Sequence, residues 1–370
     1  MLRSSSDTAR RLLVWSALVA AGAPLAAAGP AHAATAVKPA ITTRGVGFVT
    51  QAGRPVVLRG VNVSYHFTHP ELVSELGANF VRLRVLWSEI EPQPDVFDAA
   101  QLAQLDAAVS YYNAHRIAVE LDLRGASVPA WFGSTTGFWA TNAAASQAAY
   151  KPFVRTIVNR YHSYRYVIGY GIWNEPHPFG SSGHSTHRES GIILRWQAAI
   201  RDQIMAHDPY RVVFFSVRGG NYGIKYANFR TAGFRLRHTV YDWHSFFNGL
   251  HGSGFDRANE NWVPSWVETH NQRSTDYQGT LANQRANLSI GWNRTRRLGI
   301  PMLVGEWGIR NDDAHWSVYD RQMATLFSNR GLSWARWDMD YQELGLLSGG
   351  GLNAQGVWLK SYIAEAPPAG

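Results

Sequence analysis

Ile172-Trp173-Asn174-Glu175-Pro176 and Val304-Gly305-Glu306-Trp307-Gly308 decide how this chain is read. Each closes an apolar, β-prone run on a single glutamate, the place where a parallel barrel strand delivers a side chain to the open end of the barrel. Outward from these two stretches, short apolar runs alternate with longer helical stretches, a pattern that favours a parallel sheet covered by helices. Strands are predicted over Val56–Asn62, Phe80–Leu86, Ile117–Leu123, Val167–Asn174, Val212–Val217, Thr239–His244, Met302–Glu306 and Leu332–Asp338. Helices are predicted over Ala99–His115, Ala143–Tyr161, Ile192–His207, Gly279–Arg297 and Val318–Ser328. Eight strands with intervening helices over roughly 320 residues predict an α/β fold, a single (β/α)8 TIM barrel. Val46 to Val57 reads as two short strands around Gln51-Ala52-Gly53-Arg54, a short N-terminal β-hairpin ahead of the barrel.

The first 33 residues have the features of an export signal. Arg3, Arg10 and Arg11 give a basic start, Leu12 to Leu25 a short apolar run, and Ala31-His32-Ala33 a small-x-small cleavage site. The apolar run is too short and too rich in Ala and Gly for a membrane span. Arg10-Arg11 followed by Leu12-Leu13-Val14 permits the twin-arginine route as well as the general one. The expected organisation is a signal peptide over 1–33, a linker over 34–44 and the barrel over 45–365, in a protein secreted outside the cytoplasm. The 370 residues, 45% hydrophobic and 17% charged, suit one large globular domain. The absence of cysteine excludes disulfides, thiolate metal sites and a cysteine nucleophile. Net charge is +8, or +6 without the signal's three Arg and one Asp, and no Lys/Arg run is long enough for a nucleic-acid arm. Arg294-Thr295-Arg296-Arg297 is the densest basic cluster, read as the solvent face of a helix with at most weak attraction to anionic cell-wall polymers.

Active sites in such barrels sit where strands end, and the predicted strand ends bring up Asn62, Trp87, Arg124, Asn174, Glu175, His244, Glu306 and Trp337. Two opposed carboxylates are the minimum equipment for cleaving a glycosidic bond. Aromatics are abundant at 13%, with 15 Trp and 16 Tyr, which suits rings packed on pyranose faces and equally suits a large barrel's core. Trp131, Phe138, Trp139, Trp262 and Trp266 fall in loops after strands, as cleft walls or as cover over the barrel mouth. His177, His184 and His187 are read as polar contacts to substrate, since no carboxylate is spaced to complete a metal-ligand set. Arg218-Gly219-Gly220-Asn221 lacks phosphate-loop spacing, and no Gly-x-Ser-x-Gly elbow is present.

Leu58-Arg59-Gly60-Val61-Asn62, Asn79-Phe80-Val81-Arg82-Leu83, Trp173-Asn174-Glu175-Pro176, His244, Gly305-Glu306-Trp307-Gly308 and Trp337 occur in one order that resembles glycoside hydrolase family 5, the cellulase-like branch of the retaining barrel clan A. The resemblance runs from about Gly45 to Tyr362. It implies a retaining β-glycosidase with no cofactor and no metal, in which Glu306 is the nucleophile and Glu175 the general acid/base. The carboxyl groups of such a pair lie about 5–5.5 Å apart. It further implies that Arg82 keeps the nucleophile ionised, that Asn174 bonds the sugar 2-hydroxyl, and that Trp337 is the platform under the sugar. His244, Trp87 and Arg124 complete the expected substrate contacts. The implied substrate is a β-linked polysaccharide or oligosaccharide, first of all a β-glucan cut by an endo-acting enzyme. Endo-β-mannanase and glycolipid-cleaving activities are alternatives, and the chain is expected to act as a monomer.

Two positions depart from the family pattern. Leu121-Asp122-Leu123 is followed by Arg124 where a histidine is usual, and His244-Ser245-Phe246 stands where His-x-Tyr is usual, so that hydroxyl is missing unless Tyr241 or another loop residue replaces it. Leu86-Trp87-Ser88-Glu89-Ile90-Glu91-Pro92 is similar to glycolipid-cleaving relatives, whose strand-3 histidine this chain lacks. A non-catalytic glycan-binding protein on the same barrel, or a transglycosylase sharing the first half-reaction, are the rival readings.

Overall fold

The apolar runs become strands of a closed barrel. The computed structural model describes residues 35–124, 128–133, 143–176, 186–217, 222–246, 255–256, 261–262, 277–340 and 344–366. Strands are β1 Ile41–Arg44, β2 Gly47–Thr50, β3 Pro55–Val56, β4 Arg59–Ser64, β5 Phe80–Leu86, β6 Ala118–Arg124, β7 Val167–Ile172, β8 Val212–Phe215 and β9 Thr239–Phe246. They continue with β10 Phe255–Asp256, β11 Asn261–Trp262, β12 Met302–Gly308, β13 Ser333–Arg336, β14 Leu347–Ser348 and β15 Gly351–Leu352. Helices are α1 Glu71–Glu75, α2 Trp87–Ile90, α3 Ala99–Ala114, α4 Ala143–Tyr161, α5 Thr186–His207, α6 Tyr277–Leu298, α7 Trp316–Ser328 and α8 Ala354–Glu365. The eight predicted strands close in the order β12-β13-β4-β5-β6-β7-β8-β9, every pair parallel, which is the (β/α)8 barrel. Between β8 and β9 the described residues carry one 3-10 turn, Tyr222–Tyr226, instead of a long helix.

The N-terminal region differs from expectation. The stretch expected as linker includes β1, which pairs antiparallel with β2, and β2 with β3, so the hairpin is one part of a three-stranded sheet. The β-branched run Ile41-Thr42-Thr43 favours extended, paired backbone over a tether. This sheet also has a packing role: Phe48 of β2 stacks on Phe214 with ring centroids 6.4 Å apart.

Side chains along a strand alternate between its two faces. Outward residues such as Val81, Leu121, Tyr241, Val304 and Trp334 join the helices in one large core. Inward residues Leu58, Phe80, Ala118, Ile168, Val240 and Leu303 form an apolar floor above Phe48. Burying each such side chain stabilises the fold by about 1.5–3 kcal/mol. One layer higher, the inward positions turn charged: Arg82, Glu120, Asp122, Arg124, Asp242, His244 and Glu306 are all buried. Register places Asn62, Arg82 and Glu120 side by side across β4, β5 and β6, and Glu306 next to His244 across β12 and β9. Buried charge is costly unless paired, so the contacts within this layer decide whether the barrel is stable.

Candidate active site

Glu175 is delivered by a sharp turn. β7 ends at Ile172, whose carbonyl accepts from Gln197 Nε2 at 3.1 Å, and Trp173 N–H donates to Leu123 O at 3.2 Å. Trp173 and Glu175 then take left-handed backbone, with φ of 58° and 41°. Such conformations cost of order 1–3 kcal/mol each and persist only where surrounding contacts enforce them. Trp173 supplies that enforcement, its ring 5.6 Å from Tyr150 and 5.7 Å from Trp196. Between the two strained residues, Asn174 accepts from Arg82 Nη2 at 2.8 Å through Oδ1, which leaves its Nδ2 amide facing away as a donor.

Glu306 is held from three sides. Arg82 Nη1 donates to its Oε1 at 2.6 Å, and Arg124 Nη2 donates to the same oxygen. His244 Nδ1 lies 3.6 Å from Oε2. Burial works against charge on Glu306, yet His244, Arg124 and Arg82 together outweigh it and bring its pKa down to about 2. The preceding residue has to be glycine, because a Cβ on Gly305 would stand 1.8 Å from Asp242 Oδ1. Asn62 Nδ2 donates to Gly305 O at 2.8 Å and fixes this turn of the chain from the other side.

His244 links the two glutamates. Its Nδ1 is 2.8 Å from Glu175 Oε1 and its Nε2 is 3.1 Å from Asp242 Oδ2. Burial alone would lower its pKa, but the charges of Glu306 and Asp242 and the bonds to Asp242 and Glu175 raise it to about 10. His244 is therefore an imidazolium at neutral pH, donating from both nitrogens. One nitrogen or oxygen from each of Glu175, His244 and Glu306 lies within 4.8 Å of the others, a spacing a metal ion could bridge. These donors are already engaged within the protein: His244 lies between Glu175 and Asp242, and Glu306 Oε1 accepts from two guanidinium groups.

Arg82 anchors the layer below. It reaches Asp242 at 3.0 Å, Asp122 at 3.2 Å and Glu120 at 3.4 Å. Burial pushes the Glu120 carboxyl well above the usual carboxylate range, against the pull of Arg82. Glu120 and Asp242 do not figure among the site residues read from sequence. For Glu120 the signal was present in the inward positions of Ala118-Val119-Glu120-Leu121-Asp122-Leu123-Arg124, a strand with a charge at every second residue from Glu120 on.

Of the residues expected at the site, Arg82, Arg124, Asn174, Glu175, His244 and Glu306 converge. Trp337 stands beside them, 7% exposed, with the guanidinium carbons of Arg84 and Arg124 at 4.8 and 4.9 Å from its ring. Trp87 does not belong there. It is fully buried, donates to Glu91 Oε2 at 2.8 Å and packs on Tyr150, Trp131 and Phe153, so no face remains for a sugar. Tyr241 does not replace the missing hydroxyl: it sits on the outward face of β9, against Phe215 at 5.6 Å, opposite Asp242 and His244. Trp131 is half-buried on Trp87 and donates to Glu91 O at 3.1 Å. His177, His184, Phe138, Trp139, Trp266 and Arg218–Asn221 lie outside the described residues, as do the side chains of His187, Phe246 and Trp262.

Residues 49–343 match the family model described as Cellulase (glycosyl hydrolase family 5). The chain belongs to glycosyl hydrolase family 5. It is a glycoside hydrolase by that membership, and both Glu175 and the buried Glu306 lie inside the matched region. No curated protein matches this family 5 chain in sequence. Among solved structures, endo-glycoceramidase II from Rhodococcus sp. in its ganglioside GM3 complex is similar, with 19% identity and a TM-score of 0.65 over 85% of this chain and 81% of that one. An endogalactoceramidase is similar at 18% identity and a TM-score of 0.61, over 81% and 74% of the two chains. Cellulose synthase subunit Z from Clostridioides difficile matches at 14% identity and a TM-score of 0.61, over 82% and 99%. At these identities the likeness is one of fold.

Proposed function

We propose that the chain is an exported, retaining β-glycosidase that works by double displacement. The observation that carries this reading is the closeness of the pair and the charge on one member: one carboxylate oxygen of Glu175 lies within 4.8 Å of one of Glu306, and Glu306 is held as a carboxylate. An inverting pair leaves about 6.5–9.5 Å for a water molecule. Glu306 Oε1 is occupied by Arg82 and Arg124, so Oε2 is the attacking oxygen. It bonds to the anomeric carbon while Glu175 passes its proton to the departing oxygen. Glu175, now a base, takes a proton from water, whose oxygen displaces Glu306 from the sugar. The free Nδ2 of Asn174 is placed to donate to the sugar 2-hydroxyl, a bond that strengthens at the transition state. Export rests on the signal-like first 33 residues.

A β-glucan cut internally is the substrate class that the family match supports best. A glycolipid head group is the second reading, favoured by the Leu86–Pro92 stretch and by the names of the similar folds. Within that stretch, however, Trp87 and Glu91 bond to each other in the core, a reason for the shared sequence that needs no shared substrate. The test is product release from β-1,4-glucan, β-1,3-glucan, β-mannan, xylan and a glucosylceramide by wild type and Glu306→Ala. The anomer formed first is read by NMR. Release by wild type alone, with β-product first, is expected and names the substrate. α-Product first, or equal release by the variant, would overturn the mechanism.

A further inference from the structure

Asp242 bonds to neither glutamate, yet three strands close around its carboxylate. Oδ2 accepts from His244 Nε2 at 3.1 Å and lies 3.0 Å from Arg82 Nη2. Oδ1 faces the backbone of β12, where a Cβ on Gly305 would come within 1.8 Å of it. The residue is 4% exposed and held between β5, β9 and β12, so it offers His244 an acceptor that cannot swing away.

The two nitrogens of His244 then have separate duties. With Nε2 fixed on Asp242, Nδ1 is turned to the glutamates, 2.8 Å from Glu175 Oε1 and 3.6 Å from Glu306 Oε2. Which nitrogen carries a proton is set by the bond that the other one makes. A neutral ring with its proton on Nε2 for Asp242 would make Nδ1 an acceptor, and the Glu175 proton would be drawn to Oε1. A ring protonated on both nitrogens gives Nδ1–H to Oε1, so that a proton on Glu175 has to sit on Oε2. Glu175 Oε2 has no bond among the described residues, and the side chain is 20% exposed. The ring's charge is supported against burial by Glu306 of β12, by Asp242 of its own strand and by the bond to Glu175 after β7. Glu120 of β6 interacts with it as well, while the Arg82 and Arg124 cations lie beyond, on Glu306 Oε1.

We propose that Asp242 is a positioning residue: it fixes the His244 ring with Nδ1–H aimed at Glu175 Oε1, and so confines the proton that Glu175 exchanges to Oε2. In the first step the Oε2–H bond breaks and that proton bonds to the departing oxygen, which keeps the electron pair of its former bond to the anomeric carbon. In the second step Oε2 takes a proton from the attacking water. His244 keeps both of its protons throughout. This role rests on the glutamate roles proposed above and adds to them a named oxygen and a carboxylate buried behind His244.

NMR of the ring nitrogens in the full chain, labelled with 15N-histidine, tests it without a substrate. His244→Gln identifies the His244 signals by their loss. Wild type at pH 8 is expected to show two ring N–H signals for His244, and Glu175→Ala to move the Nδ1–H signal. Asp242→Asn, which keeps the shape beside Gly305, is expected to lower the pH at which the ring loses its charge by about 1–3 units. On a substrate from the panel, the ratio of wild-type to Asp242→Asn kcat/KM should grow about tenfold between pH 6 and pH 9, as the variant's ring becomes neutral. A structural defect alone would leave that ratio constant. A single ring N–H signal in wild type, an Nδ1–H signal unmoved by Glu175→Ala, a ring in Asp242→Asn that stays charged to the same pH as in wild type, or a constant ratio would each overturn the proposal. The first two need no change at Asp242, so they decide even if that variant does not fold. Wild type inert on the whole panel would count against the glycosidase reading, and the ring spectra would still decide this one.

Discussion

Glu306→Gln should make the protein less stable, although removing a group proposed to be catalytic often has the opposite effect. The reason is the company Glu306 keeps. Arg82, Arg124 and His244 all direct positive charge at it inside a buried layer, and a neutral amide would leave those cations one carboxylate short, facing Glu120, Asp122, Asp242 and Glu175. The magnitude follows from linkage. A carboxyl that falls from 4.5 to about 2 on folding contributes about 3 kcal/mol of stability at neutral pH, at about 1.36 kcal/mol for each pH unit. Because the folded pKa is the depressed one, this contribution is complete above the unfolded value of 4.5 and is lost as pH falls through the folded value of about 2. Urea unfolding of wild type and Glu306→Gln at pH 7 and pH 3 reads it directly, since other titrating groups largely cancel in the difference. The expected gap is about 3 kcal/mol at pH 7 and roughly half that or less at pH 3. A variant as stable as wild type at pH 7, or a gap that does not narrow by pH 3, would refute the account of the charged layer.

Arg124→Gln takes one guanidinium from Glu306, the proposed nucleophile, so the Glu306 pKa should rise and the acid limb of kcat/KM should move up by about 1–3 pH units; an unmoved limb in a folded variant would mean that Arg124 does not govern Glu306. Gly305→Ala drives a Cβ into Asp242, and is expected to abolish turnover while Trp fluorescence and the far-ultraviolet spectrum still report a folded barrel; near-wild-type turnover would disprove the close approach. Trp87→Ala should lower stability by about 3–5 kcal/mol through the cavity it leaves, with KM unchanged in whatever remains folded; a raised KM with unchanged stability would restore Trp87 to the substrate site.

How much of this could be read from the chain depends on strand parity. On β5 and β6 the even-numbered residues from Phe80 and Ala118 face inward, so Arg82, Glu120, Asp122 and Arg124 share the barrel interior while Val81, Leu83 and Val85 face the helices. The same count puts Trp87 outside, in the core where it is found, and on β9 it separates Tyr241 from Asp242 and His244. A strand end taken only as a strand end, without the count, misplaces Trp87 and passes over Glu120 and Asp242. Charge on one face of an otherwise apolar strand is the physical signal, and the order of the residues alone carries it.

Parity nevertheless fails at both glutamates. Leu303 faces the apolar floor, and strict alternation from it would send Glu306 outward with Val304. The register of β12 against both neighbours shifts just after Val304, and that irregularity turns Glu306 into the barrel. β7 does the same: Ile168 faces inward, the register against β6 shifts beside it, and Gly171 rather than Tyr170 then meets Glu120. Beyond it, two left-handed residues re-aim Glu175. An extra residue in a strand is the usual device for redirecting a side chain next to an active site. Here it is used on both glutamate-bearing strands, so periodicity alone would have placed Glu306 on the wrong face. The paired motifs locate the glutamates in sequence for the same reason: Trp-Asn-Glu-Pro and Gly-Glu-Trp-Gly encode the local departures from regular strand geometry that bring the two carboxylates together.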